Sequence, residues 1–434
     1  MIKKIVYSNA AWSLASNGIA AVLGFVNIAF IAHHYSTAQA GQWFMLLTVY
    51  TLLEMFRSGW VQTPFVRYFA ATDSQYKQAR LTAAAWQLLL FFTVILCVLL
   101  IPVYFIPWGG SAFGLAQKYT IFWLIAALPY QLLQWQLQAR SQFKKLAIVR
   151  LLFPIAFAAL LVFKPALSIK YVVICYALFQ LVPGLTGFLM GWLKVGIWNR
   201  HIRYERKKLL GFGKYSMLTM IASSLLRSSD NFIIAAILGP AAVAVYSVPQ
   251  KLVEAIEVPV RSFASVAVVK ATKLWQTQQI DELRTFFYRQ CGLLSVLILP
   301  LLVCFITFPM SIVNLMGGAK YAQSGLLLQI FCFYAALIPL DRYCGLLLDA
   351  SHRPEKNTVK VSVMLAVNIV GDLLALYFGA GLYGVAAVST LTFLMGIILG
   401  WLQLKDILKV FQPRAFWHEG IVSSINQLKN KQAV

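Results

Sequence analysis

Long apolar runs alternate with short polar connections along almost the whole of this chain. A helix needs about 20 predominantly apolar residues to cross a bilayer, and the runs have this length. They predict twelve membrane-spanning helices, near 6–32, 41–63, 82–106, 118–138, 146–164, 170–193, 212–238, 241–269, 287–315, 321–350, 357–378 and 381–404. Prolines inside several runs predict kinks, which membrane helices tolerate better than soluble helices do.

The composition supports this interpretation and argues against two others. The 434 residues are 60% hydrophobic and 12% charged, whereas about a quarter of the residues in a soluble domain are charged. The net charge is +23, but the basic residues form short clusters between apolar runs, so no nucleic-acid partner is predicted. The predicted fold class is an all-α integral membrane protein in contact with membrane lipids.

The placement of lysine and arginine predicts the orientation in the membrane. With the N-terminus inside, the basic clusters lie on the cytoplasmic side, among them the longest connection at 194–208, the cluster that ends at Arg150 and the cluster that ends at Lys360. The opposite side receives only Lys118, Lys164, Lys170 and Lys320. Because cytoplasmic connections carry the excess of positive residues, both termini are predicted to be cytoplasmic.

The two halves of the chain resemble each other. The segment at 34–46 resembles the one at 237–249, and 137–145 resembles 348–356, in the same order. This repeat predicts two pseudo-symmetric six-helix lobes around a central polar lumen, as in transporters built from parallel repeats. The predicted division is an N-terminal lobe at 1–194, a basic cytoplasmic linker at 195–211, a C-terminal lobe at 212–405 and a cytoplasmic tail at 406–434.

Charged residues inside the predicted spans are the strongest functional signal. A charge near the bilayer centre costs roughly 2.5–3.5 kcal/mol, so these residues are expected to face the protein interior or a water-filled cavity. The charged residues at depth are Glu54, Arg57, Arg227, Asp230, Lys251, Glu254, Glu257, Arg261, Asp341, Arg342, Asp349 and Asp372.

The spacing of these charges predicts pairs on single helical faces. Three pairs are three residues apart, and a fourth is four residues apart, which brings side chains together on a helix. These are Glu54/Arg57, Arg227/Asp230, Lys251/Glu254 and Glu257/Arg261. Each pair is either a structural ion pair that neutralises itself or part of a binding site. The spacing leaves both readings open.

The fourth predicted span carries a polar face of a different kind. Gln131, Gln134 and Gln138 recur on one helical side, beside Tyr130 and Trp135. Amides and aromatic rings suit the hydroxyls and faces of sugars, so these five residues are candidate glycan contacts. The alternative is interhelical hydrogen bonding.

No sequence motif for catalysis or nucleotide binding accompanies these charges. The chain has no Walker loop, HExxH or GxSxG motif, so no enzyme activity, no catalytic residues and no cofactor are predicted. The six cysteines fall in apolar runs without CxxC spacing, and no metal site is predicted.

Several segments resemble one family of membrane transporters. Residues 205–252 contain "GFG", "RSSDNFIIAAILG" and "VYS", and resemble the start of the second half of polysaccharide-unit flippases, with Ala244 in place of a glycine. The segments "FRSGWVQTPFVRYFA" at 56–70 and "GGAKYAQSGLLLQIF" at 317–331 resemble other elements of that family. So does "LLLDASHRPEKNTV" at 346–359, where His352 replaces a common glycine.

The resemblance implies the multidrug/oligosaccharidyl-lipid/polysaccharide exporter superfamily, with two lobes and alternating access. Its O-antigen branch moves undecaprenyl-diphosphate-linked oligosaccharides from the cytoplasmic to the periplasmic leaflet of the bacterial inner membrane. The expected function is such a flippase, serving O-antigen and lipopolysaccharide, capsule or exopolysaccharide biosynthesis. Other polysaccharide-assembly proteins are expected partners besides the lipid-linked substrate.

Residue roles follow from this expectation. Arginine suits bidentate contact with phosphate, and a carboxylate can carry a proton or coordinate Na⁺, so coupling to an H⁺ or Na⁺ gradient is expected. The candidates for binding a diphosphate or acidic glycan are Arg57, Arg227, Lys251, Arg261 and Arg342. The candidates for ion coupling or charge balance are Glu54, Asp230, Glu254, Glu257 and Asp341.

Two other functions remain open from the sequence. A cation-coupled multidrug exporter of the same superfamily would carry soluble organic cations, which five basic residues in the lumen disfavour. A membrane-embedded glycan polymerase or ligase would need a sizeable outer loop, and the predicted outer connections are short.

Overall fold

Each apolar run that was predicted to span the membrane falls in helical structure. The computed structural model describes residues 2–106, 111–198, 202–409 and 422. Within these residues the regular structure is helical, with α-helices joined by short turns and no strand. The all-α class is therefore confirmed over the described part of the chain.

By its internal contacts the chain divides into two units, Met1–Ser247 and Val248–Val434. The division falls inside one helix, α9 (Pro240–Gln276). The other helices of the first unit are α1 (Ile2–His34), α2 (Thr37–Ala70), α3 (Gln75–Tyr104), α4 (Gly114–Ala126), α5 (Leu128–Ala139), α6 (Phe143–Phe163), α7 (Ile169–Leu189) and α8 (Ile202–Ile237). The lobe boundaries at 194, 195–211 and 405 stay predictions.

The second unit continues α9 with further helices. A short 3-10 helix at Ala319–Ser324 lies directly before the helix Gly325–Ala350. The helices are α10 (Ile280–Thr307), α11 (Pro309–Gly317), α12 (Gly325–Ala350), α13 (Pro354–Tyr377), α14 (Gly381–Gln403) and α15 (Lys405–Leu408).

Seven helical segments of the described chain are long and apolar enough to cross a membrane. Their number and hydropathy make this a multi-pass membrane protein. They are Gln75–Tyr104, Phe143–Phe163, Ile169–Leu189, Ile280–Thr307, Ala319–Ala350, Pro354–Tyr377 and Gly381–Gln403. Helices α2, α8 and α9, which carry many of the charges inside predicted spans, lie outside this set. The count of twelve spans therefore stays a prediction.

The fourth predicted span is not one continuous helix. Ala127 separates α4 from α5, and Pro129 occupies the first turn of α5. Proline has no amide hydrogen and its ring obstructs the preceding turn, so the expected kink takes the form of a break. The ninth predicted span is divided in the same way at Phe308, directly before Pro309.

Glycines allow α2 and α8 to pack at very short range. A Cβ atom on Gly59 of α2 would lie 2.5 Å from the Cα of Met217, and one on Gly213 of α8 would lie 2.3 Å from the Trp60 carbonyl oxygen. Small residues at such crossings are the usual device of membrane helices, because lipid supplies no hydrophobic drive for their association. The glycines therefore fix the position of α2, which carries Glu54 and Arg57.

The backbone repeats one turn in the two units. The amide of Gln142 donates to the Leu137 carbonyl at 2.9 Å, and the amide of Arg353 donates to the Leu348 carbonyl at 2.8 Å. The residue before each donor has a left-handed backbone, with φ of 56° at Ser141 and 58° at His352. Both turns close a helix with the six-to-one bond of a Schellman motif. They lie in the segments 137–145 and 348–356, so these two segments share one local backbone conformation, and the repeat of six-helix lobes stays a prediction.

The start of the predicted C-terminal tail is tied to the second unit. Arg353 donates to both carboxylate oxygens of Asp406, at 2.8 and 2.5 Å, and Arg284 donates to the Ile407 carbonyl at 2.9 Å. The hydrogen bonds from Arg353 lower the pKa of Asp406 below its ordinary value. Helix α15 is thus held by charged contacts outside the apolar segments.

Replacing Gly213 with alanine should destabilise the protein by about 1–3 kcal/mol, because the new methyl group would press on the backbone of α2. Gly211, two residues earlier in α8, is the matched control, since a Cβ there meets nothing within 4 Å. Gly211→Ala should be neutral or stabilising by up to about 1 kcal/mol, as alanine favours helix. Thermal unfolding of both variants in detergent measures the difference, and equal shifts would contradict this packing.

Candidate functional site

A polar cavity of about 280 Å³ lies inside the first unit, among α2, α5, α6 and α7. This volume is near the lower end of the usual range for ligand pockets, roughly 300–1,000 Å³. The lining residues are Tyr50, Glu54, Ser58, Gln62, Tyr130, Gln131, Gln134, Trp135, Gln138, Arg150, Phe153, Tyr176 and Gln180. The cavity therefore admits one small polar group and not a whole oligosaccharide.

The glutamine face of α5 opens onto this cavity. All five residues predicted as glycan contacts, Tyr130, Gln131, Gln134, Trp135 and Gln138, contribute to its lining. Their spacing on one helix brings them together, as the sequence predicted. The ligand that they bind stays a prediction.

Arg57 lies behind the lining and organises it. Its side chain is completely buried, yet it donates hydrogen bonds from both terminal nitrogens. One nitrogen donates to Thr93 Oγ1 at 2.9 Å and the Leu124 carbonyl at 2.7 Å, and the other to Gln131 Oε1 at 2.7 Å and to the Glu54 carboxylate. The guanidinium group thus joins four helices, α2, α3, α4 and α5.

In this structure Arg57 faces protein atoms, so its contacts position other groups. The carboxylate of Glu54, which lines the cavity, also accepts a hydrogen bond from Ser58 at 2.9 Å. A buried charge is tolerated when it is paired and hydrogen-bonded, and both terminal nitrogens of Arg57 meet this condition, whereas its Nε has no partner among the described residues. The pair predicted from the three-residue spacing is therefore present, and it belongs to the wall of the cavity.

Aromatic rings form another part of the wall. The Tyr176 ring stacks on Trp123 with a centroid distance of 4.2 Å and meets the edge of Phe153 at 4.8 Å. The Tyr50 hydroxyl donates to Gln180 Oε1 at 3.2 Å. Tyr50, Phe153, Tyr176 and Gln180 were not identified from the sequence. Gln180 could have been identified from the sequence, because it is a single glutamine within an apolar span and polar residues there usually face the protein interior.

Arg150 is a further residue that the sequence did not identify as part of the site. It was predicted to belong to a cytoplasmic cluster, but it lies about two turns inside α6 and lines the cavity. Its Nε donates to Gln134 Oε1 at 3.2 Å. The cavity wall therefore contains an arginine in addition to the one behind it.

The charged residues of α8 lie outside the lining of this cavity. Asp230 is buried and accepts a hydrogen bond from the Tyr246 hydroxyl at 2.5 Å, while Arg227 is exposed. The next residue, Asn231, accepts a hydrogen bond from Ser247 at 3.3 Å. The two side chains thus differ in exposure, and the predicted pairing of Arg227 with Asp230 stays a prediction.

Two predicted pairs of α9 are present. Lys251 Nζ lies 2.7 Å from Glu254 Oε1, and Arg261 Nη2 lies 3.1 Å from Glu257 Oε2. All four residues belong to the second unit. Their predicted place in a central lumen stays a prediction.

Asp341 has a partner that the sequence did not indicate. Lys360 of α13 is buried and donates to Asp341 Oδ1 of α12 at 2.7 Å. Lys360 had been assigned to a cytoplasmic cluster, whereas the neighbouring Arg342 is exposed. The two members are nineteen positions apart and lie on different helices, so no helical spacing revealed the pair.

A further polar cluster lies between α13 and α14. Asn368 Nδ2 donates to Asp372 Oδ2 at 3.1 Å, and Thr392 Oγ1 donates to Asn368 Oδ1 at 3.0 Å. All three side chains are buried, with exposed fractions of 0 to 2%. In the described residues no group of three or more His, Cys, Asp or Glu side chains could hold a metal ion. Oxygen atoms of these types suit a proton or a hard monovalent cation.

This chain resembles a known protein family in sequence and several solved structures in fold. Residues 6–269 match a family model described as polysaccharide biosynthesis protein. No curated protein matches the chain.

Solved structures share its fold. An inward-facing multidrug resistance MATE family transporter of the MOP superfamily has a TM-score of 0.71 at 15% identity, covering 93% of this chain and 100% of that one. The lipid II flippase MurJ, in an inward closed conformation, has a TM-score of 0.69 at 15% identity, covering 96% and 92%. A MOP superfamily transporter from Pyrococcus furiosus Vc1 has a TM-score of 0.63 at 13% identity, covering 93% and 96%.

Replacing Arg57 with methionine should destabilise the protein by roughly 3–5 kcal/mol, because Glu54 would keep a charge without its partner. Replacing both residues, as Glu54→Gln with Arg57→Met, should cost less than the single arginine change. Thermal unfolding of the single and double variants gives this double-mutant cycle. Additive losses would show that the two side chains do not stabilise each other.

Proposed function

The chain belongs to the polysaccharide biosynthesis protein family, and from this premise we propose that it is a flippase. Its substrate is an oligosaccharide repeat unit linked to undecaprenyl diphosphate. The protein moves this unit from the cytoplasmic to the periplasmic leaflet of a bacterial inner membrane by alternating access. The units then serve the synthesis of a surface polysaccharide such as O-antigen, capsule or exopolysaccharide.

The lining of the cavity in the first unit is the observation that carries this proposal. Five glutamines line it, at positions 62, 131, 134, 138 and 180, together with several aromatic rings. An amide both donates and accepts hydrogen bonds, as a sugar hydroxyl does. Aromatic rings offer flat apolar surfaces to the faces of sugar rings. A membrane protein that transports only apolar molecules does not need a cavity lined by amides.

Basic side chains next to aromatic rings supply a place for the diphosphate. Lys208 Nζ lies 4.2 Å from the centre of the Tyr68 ring, and Arg67 Cζ lies 4.7 Å from the centre of the Phe212 ring. Basic and aromatic residues are enriched where membrane helices meet the headgroups. We assign this end of the first unit to the cytoplasmic side, with both termini. Arg227, Lys251, Arg261 and Arg342 remain the proposed partners of the diphosphate during transfer.

The charge of the cavity argues against the alternative of a cation-coupled drug exporter. Glu54 is paired with Arg57, and Arg150 adds a positive charge to the lining. An organic cation would meet repulsion there in a medium of low dielectric constant. A glycan polymerase or ligase is the other alternative, and it would lengthen the glycan instead of moving it.

We further propose that an H⁺ or Na⁺ gradient drives transfer through buried carboxylates. Asp372 is completely buried and accepts a hydrogen bond from Asn368. The adjoining helix α14 has no charged residue in its sequence. Asp372 therefore joins the predicted candidates Glu54, Asp230, Glu254, Glu257 and Asp341.

Flipping can be measured in vesicles that contain a fluorescent undecaprenyl-diphosphate oligosaccharide, by the fraction that an external quencher cannot reach. Wild type should equalise the two leaflets, and Gln138→Leu should slow this by about 2- to 10-fold, the loss expected for one hydrogen bond. Gln142→Leu is the matched control, since Gln142 is half-buried like Gln138 but does not line the cavity. Failure of wild type to move any lipid-linked glycan would overturn the flippase proposal, and longer glycans would indicate a polymerase.

The same vesicles test coupling when a pH or Na⁺ gradient is imposed. Asp372→Asn should abolish the acceleration by the gradient while exchange without a gradient continues, because the amide cannot release a proton or balance a cation. Asp349→Asn is the control, as Asp349 is exposed and bonded to Asn357 at 3.0 Å. Acceleration that survives in Asp372→Asn would exclude this residue from coupling.

A further inference from the structure

Arg150 gives the cavity of the first unit a chemical preference that a general sugar site does not require. Arg150 is half-buried and lines the cavity from α6, next to Gln134 of α5. Most sugars are neutral, and amides with aromatic rings are sufficient to bind them. A positive charge in this wall selects among sugars.

The two arginines also orient the two neighbouring amides. A guanidinium group only donates hydrogen bonds, so it meets the oxygen of an amide and not its nitrogen. Arg57 donates to Gln131 Oε1 at 2.7 Å, and Arg150 donates to Gln134 Oε1 at 3.2 Å. The NH₂ groups of Gln131 and Gln134 are therefore turned away from the arginines. Because both residues line the cavity, their NH₂ groups are the hydrogen-bond donors that they have for a ligand, and a complementary ligand has acceptors.

The formal charges of the lining residues and of Arg57, which lies behind the lining, sum to +1. Glu54 contributes one negative charge, and Arg57 and Arg150 contribute one positive charge each. A ligand with one negative charge would balance this sum, and the interaction is strong where water is scarce. The volume of about 280 Å³ limits the ligand to a small group.

We propose that this cavity is a subsite for one sugar ring that carries a single carboxylate. The carboxylate meets the guanidinium group of Arg150, and the NH₂ groups of Gln131 and Gln134 donate to oxygens of the ring. The ring lies against Tyr130 and Trp135. This inference rests on the proposed function and deepens it, because the carried repeat unit then contains an acidic sugar such as a uronic acid.

Binding of free sugars to the purified full-length protein in detergent tests the subsite. Glucuronate and glucose share the ring and differ in the carboxylate, and tetraethylammonium serves as a cationic probe. Saturation-transfer NMR titrations should give glucuronate about tenfold tighter binding than glucose, the effect of a charge-assisted hydrogen bond. Tetraethylammonium should not compete with glucuronate.

Variants assign the preference to Arg150. Arg150→Gln should weaken glucuronate about tenfold, to the level of glucose, and Arg150→Lys should retain part of the preference. Lys170→Gln is the control, since it removes an exposed positive charge from the same unit and should leave binding unchanged. Thermal unfolding verifies that each variant is folded.

Three outcomes would overturn the subsite: equal affinity for glucose and glucuronate, undiminished glucuronate binding by folded Arg150→Gln, or displacement of glucuronate by tetraethylammonium. The vesicle assay separates these from a failure of the proposed function. A protein that flips lipid-linked glycans but shows no carboxylate preference keeps its function and loses the subsite. A protein that binds glucuronate but moves no lipid-linked glycan keeps the subsite as a sugar site and loses the flippase assignment.

Discussion

The first unit depends on the burial of one guanidinium group. Within a membrane little water is available to satisfy a charge, so the terminal nitrogens of Arg57 take their acceptors from the protein, while its Nε has no partner among the described residues. Its acceptors come from α2, α3, α4 and α5. The same contacts that satisfy the charge therefore hold four helices together and fix the glutamine face of α5. Stability and site geometry have a common origin here.

Close helix packing makes this network possible. Gly59 and Gly213 bring the backbones of α2 and α8 together, and Gly184 and Gly187 do the same for α5 and α7, where a Cβ would lie 2.7 Å from Pro129 and 2.3 Å from Leu133. Such approaches need residues without side chains. They leave the larger polar and aromatic side chains of α2, α5 and α7 directed at one cavity. The break at Ala127 gives α5 a direction independent of α4.

The two units share a backbone device but differ in polar chemistry. The turn around Ser141 recurs around His352 with equivalent hydrogen bonds, although a left-handed backbone favours glycine. The first unit contains a cavity with arginines and amides, whereas the second contains the buried Asp341–Lys360 pair and the cluster around Asp372. The same type of turn thus closes a helix in each unit, while the polar groups differ, with a polar cavity in the first unit and buried carboxylates in the second.

The sequence by itself determined what depends on near neighbours along a helix. Apolar runs predicted the helices, three- and four-residue spacings predicted the pairs Glu54/Arg57 and Glu257/Arg261, and one helical face predicted that Gln131, Gln134 and Gln138 act together. Only the tertiary structure decided which helices are neighbours. It placed Arg150 in the cavity and Lys360 beside Asp341. Residues far apart in sequence meet through packing of whole helices, and helical periodicity contains no information about that packing.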